Sequence, residues 1–444
     1  MNRIGKEMQD KKTLRRRNLL LDGLITGILV GLVITAYRLG ITWISGWVRW
    51  LLTQAAISPE KVLLYIGVMI AMGAAVGLCI KNAPLISGSG IPQVSAQLSG
   101  RLEARWTNVL PFKFIGGILT LGGGLTLGRE GPSVQLGAAM GQAFGEIARR
   151  PPEERLFLIS CGGAAGLASA FNAPVAGLVF ALEELHRNFS PAVLVSASAA
   201  AFAGAFVSAG VFGSAPVLPV TGGISLPLQY YWIIILLGVV TGLSGVLFNR
   251  CILWGKALYA KLNARWRPAW LWCCIVPFFL SAACCLAFPV LFGSGEPMIF
   301  FAAGGNNPPV WQITVFYAMK LALLTLCFGS GLPGGIFFPL LVLGSLMGNA
   351  VGSALAEAGV MEAQYVVELA LMAMAGHFSA IVRSPVTAIL LVSEMTGSFA
   401  FMLPLGVVAM VSYGVAEFLH STPIYESLQG LLPLTTPGEN KSAA

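Results

Sequence analysis

The chain has 444 residues, of which only 27 are Lys or Arg and 19 are Asp or Glu, giving a net charge of +8. Charged residues make up 10% and apolar residues 56%, with a mean hydropathy of +0.79; a soluble domain carries about 25% charge, so a soluble fold, a disordered chain and a small disulfide scaffold are excluded. What remains is an all-α polytopic membrane protein, because the apolar runs are continuous and lack the two-residue alternation of a β-barrel.

The first 17 residues hold Arg3, Lys6, Lys11, Lys12, Arg15, Arg16 and Arg17 against Glu7 and Asp10. A basic segment beside an apolar run reads as cytoplasmic and as a contact for anionic membrane lipids, so residues 1–18 form a cytoplasmic N-terminal segment. No folded basic domain follows, which argues against nucleic acid as a partner. The run starting at Leu19 contains Asp22 and lacks a small-x-small cleavage site, unlike a secretory signal. Apolar stretches lie near 19–37, 40–56, 62–80, 109–127, 157–182, 190–213, 230–249, 269–293, 311–329, 336–356, 365–392 and 400–419. With 53 Gly and 25 Pro, several helices must start, stop or kink at membrane depth. Such breaks are tolerated where backbone is buried or lines a cavity, which favours a transporter or channel.

The loops supply orientation. Val211 to Gln229 carries no charge and suits the outside, whereas Arg250, Lys256, Lys261, Arg265 and Arg267 mark a cytoplasmic loop at 250–267. Residues 19–432 are read as one transmembrane domain, with halves at about 19–210 and 230–432. Residues 433–444 are a short cytoplasmic tail without a regulatory domain. The eight Cys form no C-x-x-C pattern, and His186, His377 and His420 are scattered, so neither a metal nor a cofactor is expected. No Gly-x-Ser-x-Gly or paired nucleophile and base supports an intramembrane enzyme.

An internal repeat is visible. GGGLTLGREGPSVQLG (122–137) matches GSGLPGGIFFPLLVLG (329–344) at an offset of 207, aligning Gly124 with Gly331, Gly128 with Gly335 and Pro132 with Pro339. Lys113 and Lys320 pair at the same offset. GLASAFNAPVAGLVFALEE (166–184) then matches HFSAIVRSPVTAILLVSEM (377–395) at an offset of 211, aligning Pro174 with Pro385 and Glu183 with Glu394. Duplicated halves with broken helices point to a binding site where they meet. Matching alone leaves parallel and inverted arrangements both open.

Three motifs carry the chemistry: Gly88-Ser89-Gly90-Ile91-Pro92, Gly128-Arg129-Glu130-Gly131-Pro132 and Gly334-Gly335-Ile336-Phe337-Phe338-Pro339. In each, Gly frees the backbone just before a Pro suited to a first helical turn. Helix starts expose unpaired N–H groups with partial positive charge. Several converging at mid-membrane would bind an anion without a full cation, which could hold it too tightly to release.

These motifs, in this order and with the flanking run KFIGGILTLGGGLTLGREGPSVQLG (113–137), resemble the CLC family of chloride channels and chloride/proton antiporters. The resemblance extends from the first apolar runs to Tyr425. It implies a CLC-type fold of about eighteen short, tilted helices in two inverted-topology repeats. It also implies a homodimer with one pore per subunit, chloride and protons as the transported ions, and no cofactor. Without a regulatory tail, the closest analogy is a bacterial inner (plasma) membrane protein.

By the same resemblance, Glu130 matches the gating glutamate, a tethered competitor for the anion site that protonation would release. Ser89, Tyr425 and the backbone amides of Ile336 and Phe337 match the chloride ligands, with Gly88, Gly90, Gly128, Gly131 and Gly335 as motif glycines. Glu184 matches the internal proton-transfer glutamate of the antiporters, and Glu183 a neighbouring acid that helps protons or water reach it. The repeat places Phe337 opposite Glu130, so one half alone carries the titratable gate. Gln93 and Phe338 depart from the common pattern, and Phe338 is expected to narrow the outer vestibule. The pair Glu130 and Glu184 favours a secondary-active chloride/proton antiporter, with a passive voltage- or pH-gated chloride channel as the alternative. Ser89 with Tyr425 favours chloride over fluoride or nitrate.

Overall fold

A computed structural model describes residues 3–187, 191–219, 226–301 and 308–433. Apart from Pro433, the tail expected at 433–444 lies outside the described residues. Sixteen α-helices and no strand occur among the described residues. The first half holds α1 (Arg3–Ala55), α2 (Pro59–Asn82), α3 (Ile91–Leu98), α4 (Trp106–Gly122), α5 (Glu130–Ile147), α6 (Pro152–Phe171), α7 (Pro174–Phe180) and α8 (Pro191–Phe212). The second holds α9 (Tyr231–Arg265), α10 (Ala269–Ala287), α11 (Val310–Gly329), α12 (Phe337–Glu357), α13 (Val366–Val382), α14 (Pro385–Thr396), α15 (Met402–Phe418) and α16 (Ile424–Gln429). Among the described residues, eight helices are long and apolar enough to cross a membrane.

Several boundaries differ from the sequence reading. The stretches at 19–37 and 40–56 are one continuous helix, α1. Gly40 does not break it, because the missing side chain makes room for Ile118 of α4. The basic segment 250–267 is mostly the C-terminal part of α9, a 35-residue helix, and not a loop. Conversely, the stretches at 157–182 and 365–392 are each two helices. Asn172 (φ 55°) and Arg383 (φ 71°) end α6 and α13 in the left-handed conformation, followed by extended residues before Pro174 and Pro385. These two breaks are repeat counterparts.

The duplication is visible in the packing. α1 lies on α8 and α4 as α9 lies on α15 and α11; α5 packs on α6 as α12 packs on α13. The α5–α6 contact is made by Gly137, Gly141, Gly162 and Gly166, spaced by four residues on each helix, and a Cβ on any of them would overlap backbone of the other helix. At the junction of the halves, Gly128 and Gly335 form an antiparallel bridge, each N–H donating to the other's carbonyl at 2.7 Å. Gly88 N–H donates to Gly331 O (3.0 Å) as Gly293 N–H donates to Gly124 O (2.7 Å). The two buried lysines repeat the pattern: Lys113 Nζ donates to Ile86 O and Gly88 O, and Lys320 Nζ to Leu291 O and Gly293 O. The reciprocal bonds of the Gly128/Gly335 bridge relate the two halves by a pseudo-two-fold axis that passes through this junction.

Candidate functional site

Four helix starts surround one point. Gly88 (φ 72°) and Gly90 (φ 97°) hold the turn that leads into α3 and present Ser89. Glu130 opens α5, Phe337 opens α12, and Tyr425 lies in the first turn of α16. α3 contacts both α5 and α16, and α5 contacts α12. Each start leaves backbone donors without a helical partner. No side chain of a capping residue takes them up in α3, α5, α12 or α16.

Glu130 is buried (1% exposed), and its Oε2 accepts from Phe338 N–H at 3.3 Å. Its carboxylate also lies close to the amides of Arg129 and Glu130 itself. A side-chain carboxyl group therefore occupies the joint between the α5 and α12 starts. Gly128 and Gly131 make this possible. A Cβ on Gly128 would overlap Glu130 Oε2, and one on Gly131 would overlap Ser89 Oγ. Ser89 (2% exposed) and Tyr425 (2% exposed) are also buried, and neither hydroxyl has a hydrogen-bond partner among the described residues. A buried hydroxyl without a partner is costly, and a desolvated anion is the partner that two such donors suit. The Tyr425 phenol lies within electrostatic reach of both Glu130 and Glu184. Ile336 and Phe337 are the N-cap and first residue of α12, where amides remain free of helical bonds.

A cavity ends on each side of this cluster. One, of about 500 Å³, is lined by Glu130 and Phe338 together with Arg49, Arg129 and Glu296. Phe338 thus borders the vestibule it was expected to narrow. The other, of about 290 Å³, is lined by Ser87, Gly88, Ser89, Gln93, Lys256 and Phe328 among others. Gln93 donates to Ser87 O at 2.7 Å, so it holds the loop that carries Ser89.

An aromatic layer backs the α12 start and was not expected from sequence. Phe337 packs on Phe378 (4.7 Å between centroids), Phe171 (5.6 Å) and Phe180 (5.8 Å), and Phe338 on Phe171 (6.1 Å). Four residues beyond Phe180, Glu184 sits in a π-helical segment, Ala181–His186. It is 4% exposed, accepts from Ser384 Oγ at 3.2 Å and faces Arg187 Nη2 at 3.5 Å. Arg187 also pairs with Glu426, the neighbour of Tyr425.

Glu183, expected to help protons or water reach Glu184, has both carboxylate oxygens engaged at a helix start. Its Oε2 accepts from Thr387 N–H (2.8 Å) and Thr387 Oγ1 (2.7 Å), and its Oε1 from Val386 N–H at 3.4 Å, which caps the start of α14. Its repeat counterpart Glu394 accepts from Val175 N–H (3.1 Å) and Ala176 N–H (2.7 Å) and caps α7. Each half thus supplies the cap for a helix of the other. The Glu183/Glu394 match in the sequence was the available signal for this clasp. Substituting either by Ala is expected to cost about 1–2 kcal/mol of stability, as lost N-caps do. Thermal denaturation of the purified protein followed by size-exclusion chromatography checks this.

The conserved-domain model described as "Voltage gated chloride channel" matches residues 72–417, a span that contains all three Gly/Pro motifs and both glutamates. The chain belongs to the CLC family. This CLC chain is 36% identical over 423 residues to an H(+)/Cl(-) exchange transporter ClcA of Cronobacter sakazakii, covering 92% of the chain and 89% of that protein. It is 35% identical over 426 residues to the H(+)/Cl(-) exchange transporter ClcA of Yersinia pestis, covering 92% and 87%. Its fold matches the crystal structure of a slow cyanobacterial Cl−/H+ antiporter with a TM-score of 0.85 and 30% identity, over 93% of this chain and 97% of that one. A CLC-type fluoride/proton antiporter shares the fold at a TM-score of 0.75 and 22% identity, over 92% and 97%. With eight apolar helices of spanning length, this CLC chain is an integral, multi-pass membrane protein.

Proposed function

We propose that the chain is a secondary-active chloride/proton antiporter. The observation that carries this reading is the joint occupied by Glu130: a buried carboxylate held by Phe338 N–H, beside two buried hydroxyls without partners, Ser89 and Tyr425. A carboxylate in an anion's place can leave only by moving or by taking a proton, so anion arrival and protonation are linked. Ser89, Tyr425 and the amides of Ile336 and Phe337 are the chloride ligands in this reading. Glu184, behind the Phe180 and Phe337 layer, is the carboxylate that takes up protons from the other side. Its burial against Ser384 and Arg187 favours coupling over a passive channel, which has no use for a second sequestered acid.

The cavity at Ser89 faces the cytoplasm in this reading, and the cavity at Glu130 the opposite side. In an inverted repeat the start of α1 and the end of α9 share a side, and both are basic. The membrane is then a bacterial inner membrane with a cytoplasmic N-terminus and anionic lipid at the basic segment. Residues 19–432 form the transmembrane unit. A homodimer with one pore per subunit is part of this reading, as the family resemblance implies.

The anion site is tested by calorimetric titration of the purified protein with chloride. Tyr425→Ala and Ser89→Ala should each weaken binding by roughly ten-fold, the value of one hydrogen bond to a charged partner. Unchanged affinity in both variants would remove these hydroxyls from the site.

A further inference from the structure

We propose that Lys256 is an anion-recruiting residue of the cavity that ends on Ser89. The sequence placed Lys256 in a loop, but it stands on α9, where Gly255 meets the backbone of Thr325 and Gly329 on α11 at a distance no side chain would permit. That close approach swings Lys256 over the Phe328 ring, with Nζ 4.8 Å from its centroid. Nζ also comes within 3.9 Å of the point where a Cβ on Gly88 would sit, next to Ser89.

Among the described residues, Lys256 is the single charged residue in the lining of this cavity. It differs in kind from the other lysines at the junction of the halves. Lys113 and Lys320 each donate to two carbonyls and serve as ties. Lys256 makes no hydrogen bond or ion pair to a described residue, so its charge is directed at the cavity. Among the described residues it rests on a ring face, which orients a cation without neutralising it. The other cavity has a matching device: α1, the repeat counterpart of α9, brings Arg49 over the Phe292 ring, 5.0 Å from its centroid, in the lining that contains Glu130. Each half thus supplies one long-helix cation, resting on a phenylalanine, to one mouth of the anion path. A unit charge a few ångströms off the path, set beside the ligands and not among them, raises local anion concentration without adding a tight ligand.

This inference rests on the chloride-transport reading, and one experiment separates the two. Equilibrium exchange of radiolabelled chloride is followed in phosphatidylethanolamine/phosphatidylglycerol vesicles with equal chloride on both faces, so that insertion in either direction gives the same answer. Lys256→Met and Lys256→Gln should raise the half-saturating chloride concentration roughly three- to ten-fold. Lys256→Arg should stay within about two-fold of the parent. Added potassium gluconate should raise the parent's half-saturating chloride and leave that of Lys256→Gln unmoved, as screening of a recruiting charge requires. Unchanged half-saturation in the neutral variants overturns the inference, as does equal impairment in Lys256→Arg, which would mean a packing role. If the neutral variants do not fold, a parent insensitive to gluconate overturns it equally. A parent that exchanges no chloride overturns the transport reading and this inference with it.

Discussion

Glu130→Gln is expected to let chloride flow and to stop protons moving with it. The substitution keeps the size and one acceptor oxygen of the side chain but removes both the negative charge and the exchangeable proton. In the parent, Oε2 accepts from Phe338 N–H at the junction of the α5 and α12 starts, where partial positive charge favours an anion. A neutral amide competes for those donors far less well than a carboxylate. Proton flux should fall at least about 100-fold, to the leak of protein-free vesicles, because a group that cannot ionise carries no proton between the two sides. Chloride flux should stay within about ten-fold of the parent. The parent's chloride flux should rise as pH falls, since protonation frees the site, and the variant's flux should be independent of pH. Paired chloride and pH electrodes on one vesicle suspension read both results.

Glu184→Gln is expected to give the same loss of proton movement by a different route. Glu184 is buried on the far side of the layer formed by Phe180 and Phe337, and its contacts are Ser384 and Arg187. None of these is an anion ligand in the proposed site. Proton flux should again drop at least about 100-fold, while chloride affinity by calorimetry stays within about two-fold. Dependence of chloride flux on pH at the Glu130 side should survive, because Glu130 is intact. That combination distinguishes the two carboxylates. The neighbouring Glu183, by contrast, should show a stability defect when replaced, since its oxygens are engaged by the α14 start.

The motifs made much of this legible. Gly and Pro signals act within a few residues, so the starts of α3, α5 and α12 and the positions of Ser89, Glu130 and Phe337 followed from sequence. The pairings at offsets of 207 and 211 marked Gly128/Gly335 and Glu183/Glu394, which make reciprocal contacts between the halves, and Lys113/Lys320, which make equivalent ties within each half. What sequence did not disclose was what each residue faces. Two adjacent acids, Glu183 and Glu184, look alike in one dimension, yet one caps a helix of the opposite half and the other is sequestered beside Ser384. Lys256 read as a loop charge because basic residues cluster there, and only the contact of Gly255 with Gly329 turns it towards the cavity. The aromatic layer at Phe171, Phe180, Phe337 and Phe378 is drawn from four helices, and no local pattern links its members. The continuity of α1 through Gly40 depends on Ile118, a residue far along the chain.

The most direct test of coupled exchange is a reversal measurement in vesicles of the purified chain. An outward chloride gradient is imposed with no initial pH difference, and the external pH is followed. Coupled exchange predicts that chloride leaving the vesicles draws protons inward against their own electrochemical gradient, in a fixed ratio to chloride at every gradient tested. Chloride efflux with no proton movement beyond that of protein-free vesicles would contradict it.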